Sequence, residues 1–269
     1  MRVAKLEGAL LERFPARDAE PWDHVGLSVG DPRAEITGVR AALDATEANV
    51  RLAAQLGANV LLTHHPVYIE APAAFTPALR ERPAAAAAVF EAARLGVSVI
   101  SLHTNLDRSR EAREILPARM GLAAASSLEH RGEPDAPGLG AICEPVTARP
   151  LRDVVDAAAQ AFGSVPRAWG PADASVSRIA LLGGSLGHLG ELAVAAGADV
   201  IITGEAGYHV CQDLMLRGIS IVLLGHDRSE EPFVDILASA AADAGVDASL
   251  IATIDGPRQW WTPREGVRA

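Results

Sequence analysis

Seven residues, Gly57-Ala58-Asn59-Val60-Leu61-Leu62-Thr63, return later in the chain as Gly197-Ala198-Asp199-Val200-Ile201-Ile202-Thr203. Each copy follows an Ala-rich stretch of helical spacing, and each apolar run suits a strand covered on both faces of a parallel sheet. One helix later, each half reaches another strand that closes on His-x-x-x-carboxylate: His103 to Asp107, and His226 to Glu230. A β-α-β-α-β order met twice predicts a duplicated unit, hence two related α/β domains with mostly parallel sheets. Chance likeness between Ala- and Val-rich units explains the apolar match. It does not explain why the histidine–carboxylate pair recurs at the same place.

Read in order, Val3, Leu6, Leu10 and Phe14 recur at helical spacing, and Pro15 ends that helix. Gly38 to Leu43 reads as a strand, and Asp44 with Glu47 has the form of a capping box opening a helix through Leu56. The strand Asn59–Thr63 follows, then a helix over Pro83–Leu95, a strand over Val97–Leu102 and a charged helix over Ser109–Leu116. Ala123 to Gly138 has no apolar period and reads as a linker. Beyond it come strand Leu139–Cys143, helix Leu151–Phe162, strand Arg178–Leu182, a glycine loop at Gly183-Gly184-Ser185-Leu186-Gly187 and strand Asp199–Thr203. Helix Tyr208–Leu216, strand Ile219–Leu224, a helix over Glu231–Ala242 and a strand near Ser249–Ile254 complete the sequence-based assignment. The expected domains are residues 1–125 with 243–269, and residues 126–242.

With 24 basic against 34 acidic residues and a net charge of −10, the chain has no Lys/Arg block. That argues against nucleic acid as a partner, since phosphate neutralisation needs a basic stripe. No apolar run approaches the ~18–20 residues of a membrane span, and the N-terminus lacks an apolar leader core, so the expected location is the cytoplasm, away from membranes. Cys143 and Cys211, far apart, make no disulfide framework and read as small buried hydrophobes.

Val60-Leu61-Leu62-Thr63 runs into His64-His65-Pro66, and Pro66 cannot extend a ladder. The imidazoles are therefore expected at the carboxyl end of a strand, where open α/β sheets place ligands. Adjacent residues on an extended backbone point to opposite faces, which assigns one histidine to each of two ions. His64, His65, His103, Asp107, His226 and Glu230 together form a nitrogen/oxygen donor set without cysteine. Such a set suits Zn, Mn, Fe, Co or Ni, and two cations ~3.5–4 Å apart form the usual hydrolytic clamp. Singly, each of these residues is as readily a hydrogen-bonded structural group, or for Glu230 a carboxylate at a helix N-terminus.

Five motifs in order across nearly the whole chain settle the matter by resemblance: Trp22-Asp23-His24-Val25-Gly26-Leu27-Ser28-Val29-Gly30, Thr63-His64-His65-Pro66, His103-Thr104-Asn105-Leu106-Asp107, Thr203-Gly204-Glu205 with Tyr208-His209, and Gly225-His226 with Ser229-Glu230. The chain resembles the dinuclear-metal-centre hexameric proteins, the Ngg1-interacting-factor-three-like family also labelled GTP cyclohydrolase 1 type 2 homologues, in its short form. The resemblance implies that His64, His65, Asp107, His226 and Glu230 ligate two divalent ions in a cleft between the domains. It places His103 beside them and implies a homohexamer. The chain departs from the family at His24, usually Asn, at Gly207, usually basic, and at Leu186 in the glycine loop. His24 is read as a turn residue, the alternative being an added polar group at the site. The glycine loop is a tight turn or an anion cradle. Tyr208-His209 is a proton shuttle or a helix-packing pair.

The resulting expectation is a metal-dependent hydrolase acting on a small-molecule substrate, a nucleotide or a relative of one, with His103 and His209 as the candidate acid–base residues. The alternatives are a metal-handling protein and a hexameric interaction scaffold, neither with turnover.

Overall fold

The computed structural model describes residues 1–144, 147–254 and 260. Two compact units share the chain. The first comprises Met1–Ala16, Glu20–His103 and the described residues from Leu237 onward; the second comprises Arg17–Ala19 and the described residues within Thr104–Ile236. Among the described residues no helix is long and apolar enough to cross a membrane. Trp260 is exposed, and its neighbour Trp261 lies outside the described residues.

Helix α1 (Val3–Arg13) buries Val3, Leu6 and Leu10, as their spacing requires. After β1 (Gly26–Val29) and β2 (Val39–Ala42) comes α2 (Glu47–Gln55). Its cap is Thr46, whose hydroxyl accepts from the Asn49 N–H at 3.1 Å, and not the expected Asp44. Next are β3 (Val60–Thr63), α3 (Ala84–Leu95) and β4 (Ser98–Ser101). Helix α3 stops where Gly96 takes a φ of 68°.

The charged segment divides into α4 (Thr104–Asp107) and α5 (Arg110–Arg119), the latter capped by Ser109. The expected linker is instead built structure. It carries β5 (Ala124–Ser126), paired antiparallel with β6 (Ala141–Cys143), and it buries Ser127 and Leu128. Polar bonds order it: Arg113 donates to the Pro134 and Ala136 carbonyls at 2.6 and 2.8 Å, and Arg108 pairs with Glu129 at 3.0 Å. Such bonds leave no hydrophobic period to read. Residues 104–125 group with the second unit and residues 237–242 with the first.

The remaining elements are β7 (Arg149–Pro150), α6 (Leu151–Phe162), β8 (Arg167–Trp169), β9 (Ser175–Val176), β10 (Ile179–Leu181), α7 (Leu189–Ala195), β11 (Val200–Thr203), α8 (Tyr208–Leu216), β12 (Ser220–Leu223), α9 (His226–Glu230), α10 (Phe233–Asp243) and β13 (Ile251–Thr253). The first unit's sheet runs β1-β4-β3-β2-β13, with only the β1–β4 pairing antiparallel. The second unit's sheet runs β5-β6-β10-β11-β12-β8. It is parallel at β10–β11 and β11–β12 and antiparallel elsewhere, so it is more mixed than strand–helix alternation suggests. Cys143 and Cys211 are both buried, and burial pushes the Cys143 thiol up to about 12.

The duplication extends to individual hydrogen bonds. Val60 pairs with Val39 and Ser98, and Val200 pairs with Ile179 and Ser220, which makes the two serines equivalent. Gly30 follows β1 with a φ of 130°, Gly170 follows β8 with a φ of 121°, and a Cβ on either would collide with its serine. Asn59 and Asp199 also match. Asn59 accepts from the Thr37 N–H at 2.8 Å; Asp199 accepts from the N–H groups of Ser177 and Arg178 at 2.7 and 2.8 Å. Partial burial works to raise the Asp199 carboxyl, but the Ser177 and Arg178 donors outweigh it and hold it below its ordinary value. A carboxyl depressed in the folded state stabilises above its unfolded value, near ~3.9, and that stabilisation is lost as pH falls through the folded value. Asp199→Asn is therefore expected to be less stable than the parent at pH 6, with the gap closing toward pH 3. Urea midpoints at the two pH values check it; a gap that is constant with pH rules the carboxylate out.

Candidate metal centre

In the first unit the ladder of β3 ends at Thr63, and the next two residues stay tied to the end of β2. The His64 N–H donates to the Ala42 carbonyl at 3.3 Å, and the His65 N–H to the Leu43 carbonyl at 2.9 Å. The Thr63 hydroxyl donates to the His65 carbonyl at 2.8 Å, so the backbone bends there. The strand's alternation of faces therefore does not run on through these two residues. Beyond the strand the two adjacent imidazoles need not diverge, and their ring centroids lie 5.1 Å apart. His103, just after β4, completes a cluster in which one ligand atom from each of His64, His65 and His103 lies within 4.8 Å of the others.

The chemistry at each Nδ1 is defined by its partner. His64 is 0% exposed, and its Nδ1 lies 3.0 Å from the Leu102 carbonyl. His65 Nδ1 meets Asp44 Oδ1 at 2.8 Å, and His103 Nδ1 meets Asp23 Oδ1 at 2.9 Å. A carbonyl or carboxylate oxygen only accepts, so each Nδ1 is the donor and Nε2 carries the in-plane lone pair. Metal-ligating histidines take this arrangement, with the second nitrogen anchored on an oxygen.

In the second unit, His226 opens α9 and Glu230 sits one turn on, the residue buried at 4% exposure. His226 Nε2 and Glu230 Oε2 are 3.1 Å apart, while His226 Nδ1 lies 3.0 Å from Glu205 Oε1. Donors bound at ~2.0–2.2 Å stand roughly 3–3.5 Å apart around one ion. The 3.1 Å pair thus fits a coordination edge, and the imidazole–carboxylate set suits a divalent cation.

The glycine loop has a role that neither sequence reading supplied. A Cβ on Gly183 would come 2.9 Å from Glu230 Cγ, and one on Gly184 would collide with Glu230 Oε1. A Cβ on Gly204 would lie 2.6 Å from the Gly184 carbonyl oxygen and 2.9 Å from His226 Cα. Ser229 accepts from the Gly184 N–H at 2.9 Å and donates to the His226 carbonyl at 2.8 Å. The bare backbone is what lets α9 lie against the loop.

The other singled-out residues fall as follows. Asp107 ends α4, partly buried. His209 is exposed on α8, its ring 5.4 Å from that of Tyr208, which is also exposed. His24 packs its ring on Tyr68 at 4.8 Å, and its N–H donates to Asp23 Oδ1 at 2.7 Å. Leu186 is buried.

Three carboxylates at the histidines were missed. The sequence presents Asp44 as a helix cap, and Asp23 and Glu205 as motif residues without a role. One signal was available: extending the internal match past Thr63 and Thr203 places Glu205 at the position of His65.

The sequence profile of the family described as Duf34/NIF3 (NGG1p interacting factor 3) matches residues 1–254. A Clostridium perfringens protein named GTP cyclohydrolase 1 type 2 homolog is 28% identical over 235 residues, covering 86% of this chain and 88% of its own. A Schizosaccharomyces pombe protein named NIF3 homolog is 28% identical over 269 residues, covering 92% and 93%. The crystal structure of Staphylococcus aureus protein SA1388 superposes with a TM-score of 0.83 over 97% of this chain and 99% of that one. At 23% identity that likeness is one of fold.

Proposed function

The chain belongs to the Duf34/NIF3 family, and from that membership and the two histidine groups we propose a dinuclear metal-dependent hydrolase acting on a nucleotide or a related small molecule. His64, His65, Asp107, His226 and Glu230 are the proposed ligands of two divalent ions. The observation that carries the reading is the shared anchoring of His64, His65 and His103 through Nδ1, which leaves nitrogen lone pairs of one kind in one cluster. Divalent ions held by such a set supply Lewis acidity and bring the ionisation of water toward neutral pH.

The chain's own side chains supply the rest. His103, held by a carboxylate that is itself buried, is oriented to take or give a proton at Nε2. His209, exposed on α8, is the second proposed proton carrier. The name of the Clostridium perfringens relative points to GTP cyclohydrolase chemistry, and ring-opening hydrolysis of GTP is accordingly the first reaction to try. A homohexamer is proposed as the working form.

Elemental analysis of the purified protein, followed by assays on GTP and a panel of phosphoesters, tests the proposal. Metal content near two ions per chain is expected, with turnover lost in His64→Ala and Glu230→Ala while both stay folded. Two ions bound without turnover would favour metal handling. No metal under any loading condition would end both readings.

A further inference from the structure

We infer that Asp23, Asp44 and Glu205 are positioning residues: a frame of carboxylates that aims His65 and His226 at the metals and His103 at the space beside them, and that fixes the tautomers of His65 and His103. The inference rests on the metal-binding reading above. Each carboxylate comes from a segment distant in sequence from its histidine, and each meets Nδ1 within a narrow range, 2.9 Å for Asp23, 2.8 Å for Asp44 and 3.0 Å for Glu205. The frame is built in both units. In the first, Asp44 follows β2 and holds His65, the second residue past β3. In the second, Glu205 follows β11 and holds the histidine that follows β12.

Two of the three have no packing role that would explain them. The side chain of Asp44 is 48% exposed and that of Glu205 57% exposed. A solvated carboxylate held on a single imidazole nitrogen orients that ring and strengthens the other nitrogen as a donor. Asp23 differs. Its side chain is fully buried and also accepts from the His24 N–H at 2.7 Å, so it ties the Trp22–His24 turn to His103.

Two measurements on the full-length protein test the frame. The first is ¹⁵N NMR of the imidazoles at pH 8 in metal-free protein, where an ordinary histidine is neutral. His65 and His103 are expected as Nδ1–H tautomers, and Asp23→Asn is expected to give His103 a mixture, because a carboxamide can accept from Nδ1 or donate to it. Finding the Nε2–H tautomer in the parent overturns the inference. The second is Zn²⁺ affinity by competition with a chromogenic chelator. Asp44→Asn and Glu205→Gln are each expected to weaken binding by about 10–100-fold at unchanged thermal midpoint. Asp31→Asn, which removes an exposed carboxylate bonded to Arg33, serves as the control and should change nothing. Parent-like affinity in both variants overturns the frame while leaving the metal reading intact. A parent that takes up no Zn²⁺ overturns the metal reading, and the frame with it.

Discussion

Gly204→Ala is expected to lower unfolding stability by about 3 kcal/mol, the upper end of what overpacking costs, and to release metal from the second unit. The added methyl would lie 2.6 Å from the Gly184 carbonyl oxygen, 2.6 Å from Ser229 Oγ and 2.9 Å from His226 Cα. Two of those three atoms are backbone, so rotating a side chain cannot relieve the clash. The Gly184 carbonyl is already committed, accepting from the Glu205 N–H at 3.0 Å and the Thr203 hydroxyl at 3.1 Å. What remains is for α9 to move, and α9 carries both His226 and Glu230. Stability and metal retention should therefore fall together. Gly57→Ala is the comparison: its φ is 74° but its Cβ would meet open space, so only the left-handed backbone strain of about 1–2 kcal/mol applies. Urea unfolding and bound-metal analysis of the two variants separate a steric cause from a conformational one. Equal losses in both would refute the steric account.

His64→Ala is expected to cost about 2–4 kcal/mol and most of the bound metal at once. The imidazole is wholly buried, so its removal leaves a cavity and leaves the Leu102 carbonyl without the donor now at 3.0 Å. His64→Asn divides the two effects. Its carboxamide N–H can serve the Leu102 carbonyl in place of Nδ1, but it offers no counterpart to Nε2. Most of the stability should return, and the metal should not. If His64→Asn holds the parental metal content, His64 is a structural histidine and the ligand set is wrong.

Much of this was legible in the residues. The apolar period, with Pro150 before it and Gly163 after it, delimits α6 at Leu151–Phe162 as expected. The apolar runs ending in Thr63 and Thr203 are parallel strands buried along their whole length. The histidines sit just past strand ends, as the run into Pro66 implied. These features are local: burial on both faces, helix stops and strand ends are written into neighbouring residues.

Other features required the folded chain. Strand β8 was missed because its Arg167 and Ala168 are exposed at a sheet edge and carry no hydrophobic pattern. The Ala123–Gly138 segment was missed because bonds from Arg113 and Arg108, not apolar contacts, hold it. Asp44 looked like a cap because a carboxylate three residues before a glutamate has that form. In the fold it lies beside His65, and Thr46 takes the cap instead. By itself the sequence determined which residue types stand at the strand ends, since a strand's burial pattern and its termination are local properties. Only the tertiary structure decided which carboxylate faces which imidazole and why three glycines crowd α9, because those depend on segments that meet only once the sheets have formed.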